Sequence, residues 1–170
     1  IGELVHDAAR RVGEKPFRIG FGTPGVIDPR TTFLKNSNTQ CLNGKPLTRD
    51  LTAWFARYGM SVAPQIANDA NCFALAEALL GAGKGAHSVF GVILGTGVGG
   101  GLVIGEQVVH GAQGIAGEWG HNVIEPHGPP CYCGKNGCVE RLIAGPRLEE
   151  RYQALTRVHR SLAEIVAREP

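Results

Sequence analysis

Apolar and polar positions alternate along this chain between a helical period and short continuous runs. The first stretch, ELVHDAARRV, has the spacing of a helix. Phe17 to Thr23 (FRIGFGT) is a short apolar run closed by the turn signal Pro24-Gly25, and it predicts a buried strand whose C-terminal end carries a loop. Leu47, Leu51, Trp54, Phe55 and Tyr58 then recur at helical spacing, with Thr48 as the expected N-cap and Gly59 as the stop. A second strand is predicted from Pro64 to Ala67; it runs into Asn68-Asp69, and from Ala70 a helical pattern (ANCFALAEALL) continues to Gly81.

The small-residue stretch Gly81 to Ser88 (GAGKGAHS) is the expected domain boundary, which gives segments 1–84 and 85–170. Beyond it, Val89 to Leu94 predicts a strand, GTGVGGG a glycine-rich turn, and Leu102 to Ile104 and Gln107 to His110 two further strands. After Pro146, Leu148, Tyr152, Leu155 and Val158 return to helical spacing, and Ser161 with Glu164 forms a capping box for one more helix. The chain starts within a helix-like stretch without an initiator Met and ends just after an amphipathic pattern, so it is expected to be part of a longer protein.

Composition changes this picture only in places. With 17 basic and 15 acidic residues the net charge is +2, and no basic stripe argues for nucleic acid. No apolar run reaches the ~20 residues of a membrane helix. Glycine is abundant, 25 residues, and concentrated between Gly81 and Gly120, where tight turns or close approach of a ligand to the backbone are the usual reasons for it. The five cysteines are an odd number, and the apolar sequence around Cys41 and Cys72 suits a reducing cytoplasm.

Three of those cysteines follow a histidine closely. His121, Cys131, Cys133 and Cys138 in GHNVIEPHGPPCYCGKNGC have the spacing of a structural zinc site, in which imidazole and thiolates cross-link a loop too polar and glycine-rich to fold alone. A disulfide from Cys131 or Cys133 to Cys138 and a nucleic-acid zinc knuckle are the weaker alternatives. His127, among prolines, is expected to be an exposed loop residue and no fifth ligand.

Other constellations are open to two readings each. The Gly95–Gly101 run lets backbone amides face an anion, as glycine-rich loops do around phosphates, but it lacks the Lys-Ser/Thr ending of a Walker A loop and also reads as a plain hairpin. Asn68-Asp69 at a strand-to-helix junction is explained by helix capping alone; a general-base role requires a hydroxyl and a phosphate nearby. Glu118 and Glu140 read as solvated charge, or, gathered by zinc, as partners of Asp69, Asn68 and His121 for a polyhydroxylated ligand.

In this order, GFGTPGVIDP, NDANCFALAEA, ILGTGVGGGL, AGEWGH and CYCGKNGCVE strongly resemble the ROK family of sugar kinases and sugar-responsive repressors, over about Arg18 to Gly145. KNSNTQCLNGKPL with AGEWGHN is most similar to the family's fructokinases and mannofructokinases, with N-acetylglucosamine, N-acetylmannosamine and glucose kinases as near alternatives. The resemblance implies an α/β, actin-like fold of two RNase H-like domains, the first contributing 1–84 and the second 85–170 with a zinc-binding insertion. It implies ATP-dependent phosphorylation of a hexose, fructose favoured, at the 6-hydroxyl, with Asp69 as general base and Mg²⁺ as cofactor. Asn38, Asn68, Asp69, Glu118, His121 and Glu140 would hold the sugar, Gly95, Thr96 and Gly97 the phosphates of ATP, and His121, Cys131, Cys133 and Cys138 a structural zinc. A cytoplasmic homodimer goes with that reading. The family's N-terminal DxGGT motif and its C-terminal adenosine-contacting segment are absent from the sequence, so the isolated chain is expected to be inactive. A repressor domain that senses a sugar without chemistry, or a surviving non-catalytic fragment, are the other classes.

Overall fold

Helix α1 (Gly2–Val12) and helix α2 (Leu47–Arg57) take up the first two amphipathic stretches and pack on each other. Phe55 of α2 is fully buried, while Trp54 stacks on Tyr58 with centroids 4.1 Å apart and His6 of α1 closes on Tyr58 at 5.0 Å. Helix α2 begins one residue ahead of the expected cap. Pro46 precedes it, its ring already near helical φ, and Thr48 sits in the first turn, where its carbonyl accepts the Thr52 hydroxyl at 2.8 Å.

This computed structural model describes residues 1–13, 17–37 and 39–167. They fold as two compact units, Ile1–Cys72 with His110–Ile115 and Phe73–Val109 with Ala116–Pro170. In the first, β1 (Gly20–Thr23) and β4 (Gln65–Asn68) pair in parallel with ends aligned, Thr23 opposite Asn68. Between them in sequence lie β2 (Val26–Ile27) and β3 (Leu34–Lys35), an antiparallel pair too short to show a period. Leu34 anchors it, fully buried.

The β2–β3 connection is held by Asp28. Its carboxylate accepts the Lys35 ammonium at 2.8 Å and the Arg30 amide at 2.8 Å, and these bonds pull its pKa down to about 2. The ionised group therefore favours the folded hairpin fully above its ordinary pKa of 3.8, and that contribution disappears as pH falls through about 2. A carboxyl ¹³C titration should place the Asp28 midpoint near 2 and move it toward 3.8 in Lys35→Ala; an unchanged midpoint in the variant would remove Lys35 as the cause.

In the second unit β5 (Ser88–Leu94), β6 (Val98–Ile104) and β7 (Gln107–Val108) form an antiparallel sheet in that order. Helix α3 (Asp69–Leu79) buries Ala74 and Ala78 against Val103, with Leu75, Val89 and Val108 around them. Gly81–Ser88 connects α3 to β5 within this unit. Strand β6 starts four residues earlier than the sequence predicts, because Gly99, Gly100 and Gly101 are strand residues paired with Ile93, Val92 and Gly91. Close approach is the reason: a Cβ on Gly100 would stand 2.9 Å from the Gly117 carbonyl oxygen and 3.0 Å from the Trp119 ring. Strand β7 ends at Val108, short of the expected His110.

Three helices follow among the described residues. Helix α4 (Val139–Ile143) is too short to be legible as a period; Val139 and Ala144 bury with Val98 against Trp119 and Ile143. Helix α5 (Gly145–Thr156) realises the spacing after Pro146. Helix α6 (Leu162–Val166) opens on the expected capping box, in which the Ser161 amide donates to the Glu164 carboxylate at 2.8 Å and the Ser161 hydroxyl accepts from the Glu164 amide. Among the described residues no helix is long and apolar enough to cross a membrane.

Candidate functional site

Asn68 and Asp69 divide the work that the sequence left between them. Asn68, nine-tenths buried, is the cap: its side-chain oxygen accepts the Asn71 amide at 3.0 Å, and its side-chain nitrogen donates to the Gly25 carbonyl at 3.2 Å. Asp69 is exposed at the C-terminal end of β4, and one carboxylate oxygen accepts the adjacent Ala70 amide at 2.9 Å. The ends of parallel strands are where open α/β sheets receive ligands. Asn38 lies outside the described residues.

In the second unit the glycine-rich run narrows to one turn, Gly95-Thr96-Gly97, between β5 and β6. The Gly95 amide donates to the Gly97 carbonyl at 3.0 Å. The next amide, that of Val98, donates to the Glu140 carboxylate at 3.0 Å, and the Gly145 amide donates to the Gly95 carbonyl at 2.8 Å. Helix α4 and the first residue of α5 thus both meet this turn. The first amides of α4 reach back to the segment around His121: Glu140 donates to the Gly120 carbonyl at 2.9 Å and Val139 to that of Asn122 at 3.0 Å. Glu118 is exposed in the same segment, and Trp119 beside it fixes the backbone by donating its indole N–H to the Gly99 carbonyl at 2.8 Å.

The four zinc candidates converge, each offering one donor atom within 4.8 Å of the others. Cys133 and Cys138 sulfurs are 3.6 Å apart, and Cys131 Sγ is 3.5 Å from His121 Nδ1. A tetrahedral zinc with bonds of about 2.3 Å to sulfur and about 2.0 Å to nitrogen has edges of about 3.8 and 3.5 Å. A disulfide needs about 2.05 Å, and all five cysteines are free. Burial and hydrogen bonds from the neighbouring thiols push Cys138 up to about 11, so the protein alone disfavours thiolate there, and a divalent cation is the group that reverses this. The donor set fits zinc. His127 is exposed and outside the cluster, as expected, whereas Cys41 and Cys72 are exposed, contrary to the apolar surroundings read from sequence.

Spacing gave no hint of two contacts. Tyr132, between two cysteines, brings its hydroxyl 2.9 Å from His121 Nε2, so both ring nitrogens are engaged. Partial burial of the hydroxyl, then the Glu140 charge, raises the Tyr132 pKa to about 12 and keeps the phenol neutral. With Nδ1 bound to a metal ion, Nε2 would carry the proton and donate. The Glu140–Val98 bond is the other; a lone Glu after a cysteine signals nothing of it.

The sequence profile of the ROK family matches residues 1–169. An N-acetylgalactosamine kinase, AgaK, of Shewanella sp. is 40% identical over 161 residues, covering 90% of this chain and 50% of that protein. The crystal structure of a ROK hexokinase from Thermus thermophilus superposes with a TM-score of 0.78 at 34% identity, over 99% of this chain and 57% of that one. A ROK family transcriptional regulator, a homologue of E. coli Mlc, superposes with a TM-score of 0.71 at 25% identity, over 99% of this chain and 39% of that one. The chain therefore spans about half the length of the curated relatives it matches. Its fold is the α/β, actin-like one.

Proposed function

Because the chain belongs to the ROK family, we propose that it is the central part of an ATP-dependent sugar kinase, with 1–84 from the first RNase H-like domain and 85–170 from the second. The observation that carries this reading is the start of α3, where Asn68 satisfies the helix end and leaves the exposed Asp69 carboxylate for chemistry. Asp69 takes the proton from the 6-hydroxyl as that oxygen attacks the γ-phosphate of ATP, with Mg²⁺ neutralising the phosphate charge. Of the turn's amides, those of Thr96 and Gly97 meet the phosphates, since Gly95 and Val98 donate within the protein.

Glu118, His121 and Glu140 hold sugar hydroxyls, and Asn68 positions Asp69. A hydroxyl of the sugar takes the place at His121 Nε2 that the Tyr132 phenol holds here. His121, Cys131, Cys133 and Cys138 bind zinc, which supplies rigidity; four protein ligands leave no position for an activated water. The protein works as a cytoplasmic homodimer, where a reducing medium keeps the thiols available. Hexoses and N-acetylhexosamines are the substrate class, supported by the names of the similar kinases; no such name supports the fructose preference taken from the sequence motifs.

A coupled ADP-release assay on the complete gene product, across fructose, mannose, glucose, N-acetylglucosamine and N-acetylgalactosamine, tests this. Sugar-dependent ADP release on an aldose or N-acetylhexosamine is expected. Sugar binding without ADP release from any of them would overturn it in favour of a sensor domain, the reading that the likeness to the regulator supports.

A further inference from the structure

Glu140 stands two residues after a cysteine of the four-ligand cluster, yet its carboxylate reaches the amide at the end of the Gly95–Gly97 turn, 42 residues away in sequence. Several features show that the contact is built in. Gly97 has no side chain to keep the carboxylate off, and a Cβ there would stand 2.7 Å from Glu140 Oε2. The Glu140 amide is tied to the Gly120 carbonyl, Gly120 in turn lies against the Val98 carbonyl, and the Gly145 amide at the start of α5 holds the Gly95 carbonyl. The turn is thus gripped at both its first residue and the residue after its last.

From this geometry we infer that Glu140 is a positioning residue for the nucleotide: it anchors the Gly95–Gly97 turn through Val98 and so presents the turn's free amides to phosphate. The inference rests on the reading of that turn as a phosphate site, and extends it, because Glu140 then serves ATP as well as sugar. A charged acceptor on a backbone amide is among the stronger hydrogen bonds, and it fixes a segment whose glycines otherwise leave it many conformations. Each unit of negative charge near a phosphate also costs affinity, so the bond to Val98 turns a group that would repel the ligand into one that shapes its cradle.

Two substitutions separate reach from charge. Glu140→Gln keeps the reach and an acceptor oxygen but removes the charge; Glu140→Asp keeps the charge and withdraws it by one methylene. In the zinc-loaded complete gene product, amide exchange at Val98 should be about tenfold faster in E140D and only a few-fold faster in E140Q, whose neutral oxygen keeps the reach but accepts a weaker bond. Affinity for a non-hydrolysable ATP analogue, titrated without sugar, should fall about tenfold in E140D and be largely retained in E140Q. Circular dichroism and bound zinc report whether either variant is misfolded, and Glu140→Ala repeats the loss of reach with a different side chain. Unchanged Val98 exchange in both E140D and E140A overturns the anchor. Faster exchange with unchanged analogue affinity overturns the link to nucleotide. A parent protein that binds no analogue at all brings down the phosphate reading of the turn instead, and Val98 exchange then decides the anchor by itself.

Discussion

Asp69→Asn in the complete gene product is expected to lower ATP-dependent sugar phosphorylation by about 10²- to 10⁴-fold, the usual cost of losing a general base. Sugar binding, followed by calorimetry, should change little. The substitution is a clean one because of what surrounds it. Asn68 already accepts the Asn71 amide at the start of α3, so the helix end does not depend on Asp69. An asparagine oxygen can still accept the Ala70 amide that Asp69 Oδ1 accepts at 2.9 Å, and Asn and Asp serve helix starts about equally. Only basicity and charge are removed. If Asp69 were a second cap and nothing more, the variant would turn over like the parent, and turnover within tenfold of it would end the assignment.

Removal of zinc is expected to have the largest effect on stability. The segment between β7 and α4 has no helix or strand among its described residues, only isolated bridges Val123–Cys138 and Pro130–Asn136. An irregular stretch of that length is uncommon in a compact unit unless something else ties it down. Here three thiols and one imidazole, all within 4.8 Å, are placed to do so. With free zinc at a thousand times its Kd the ion contributes about 4 kcal/mol to folding. A chain of this size gains about 2–4 °C in Tm per kcal/mol, so chelation should lower Tm by roughly 10 °C. Cys138→Ser, which alters the fully buried ligand, should reproduce the loss and abolish stoichiometric metal. Cobalt substitution supplies an independent readout, since three thiolates and one imidazole give an intense tetrahedral spectrum. A chain that melts at the same temperature with and without chelator, and purifies without metal, would refute the site.

The two expected effects draw on information of different kinds. Periodicity made α2, α3 and α5 legible, because a helix that buries one face must repeat its apolar residues at its own pitch, whereas β5 was legible as a continuous apolar run. Local chemistry made the Ser161–Glu164 capping box legible, since both partners lie within one turn of helix. The β2–β3 pair and α4 were not, being two to five residues long and without room for a period. The strand half of the glycine run has no signature in the sequence for a related reason. Glycine marks freedom or closeness, and only the packing of Gly117 and Trp119 against Gly100 shows that closeness rather than a turn accounts for half of it.

The candidate site divides along the same line. Spacing in one segment picked out the four His and Cys side chains that converge, and motif order identified the family. Which of Asn68 and Asp69 caps α3 was undecidable from the sequence, as both residue types do it equally well; the buried bonds of Asn68 to Asn71 and Gly25 decide it. The Tyr132 hydroxyl on His121 and the Glu140 carboxylate on Val98 have no local signature either. The sequence by itself determined the helical periods, the longer apolar strand runs, the convergent His–Cys set and the family, because each is written in residues close together or in fixed order. The tertiary structure alone decided which side chains are left for chemistry. A carboxylate or amide is available to a ligand only when the fold has satisfied the neighbouring backbone by other means, and those partners come from distant parts of the chain.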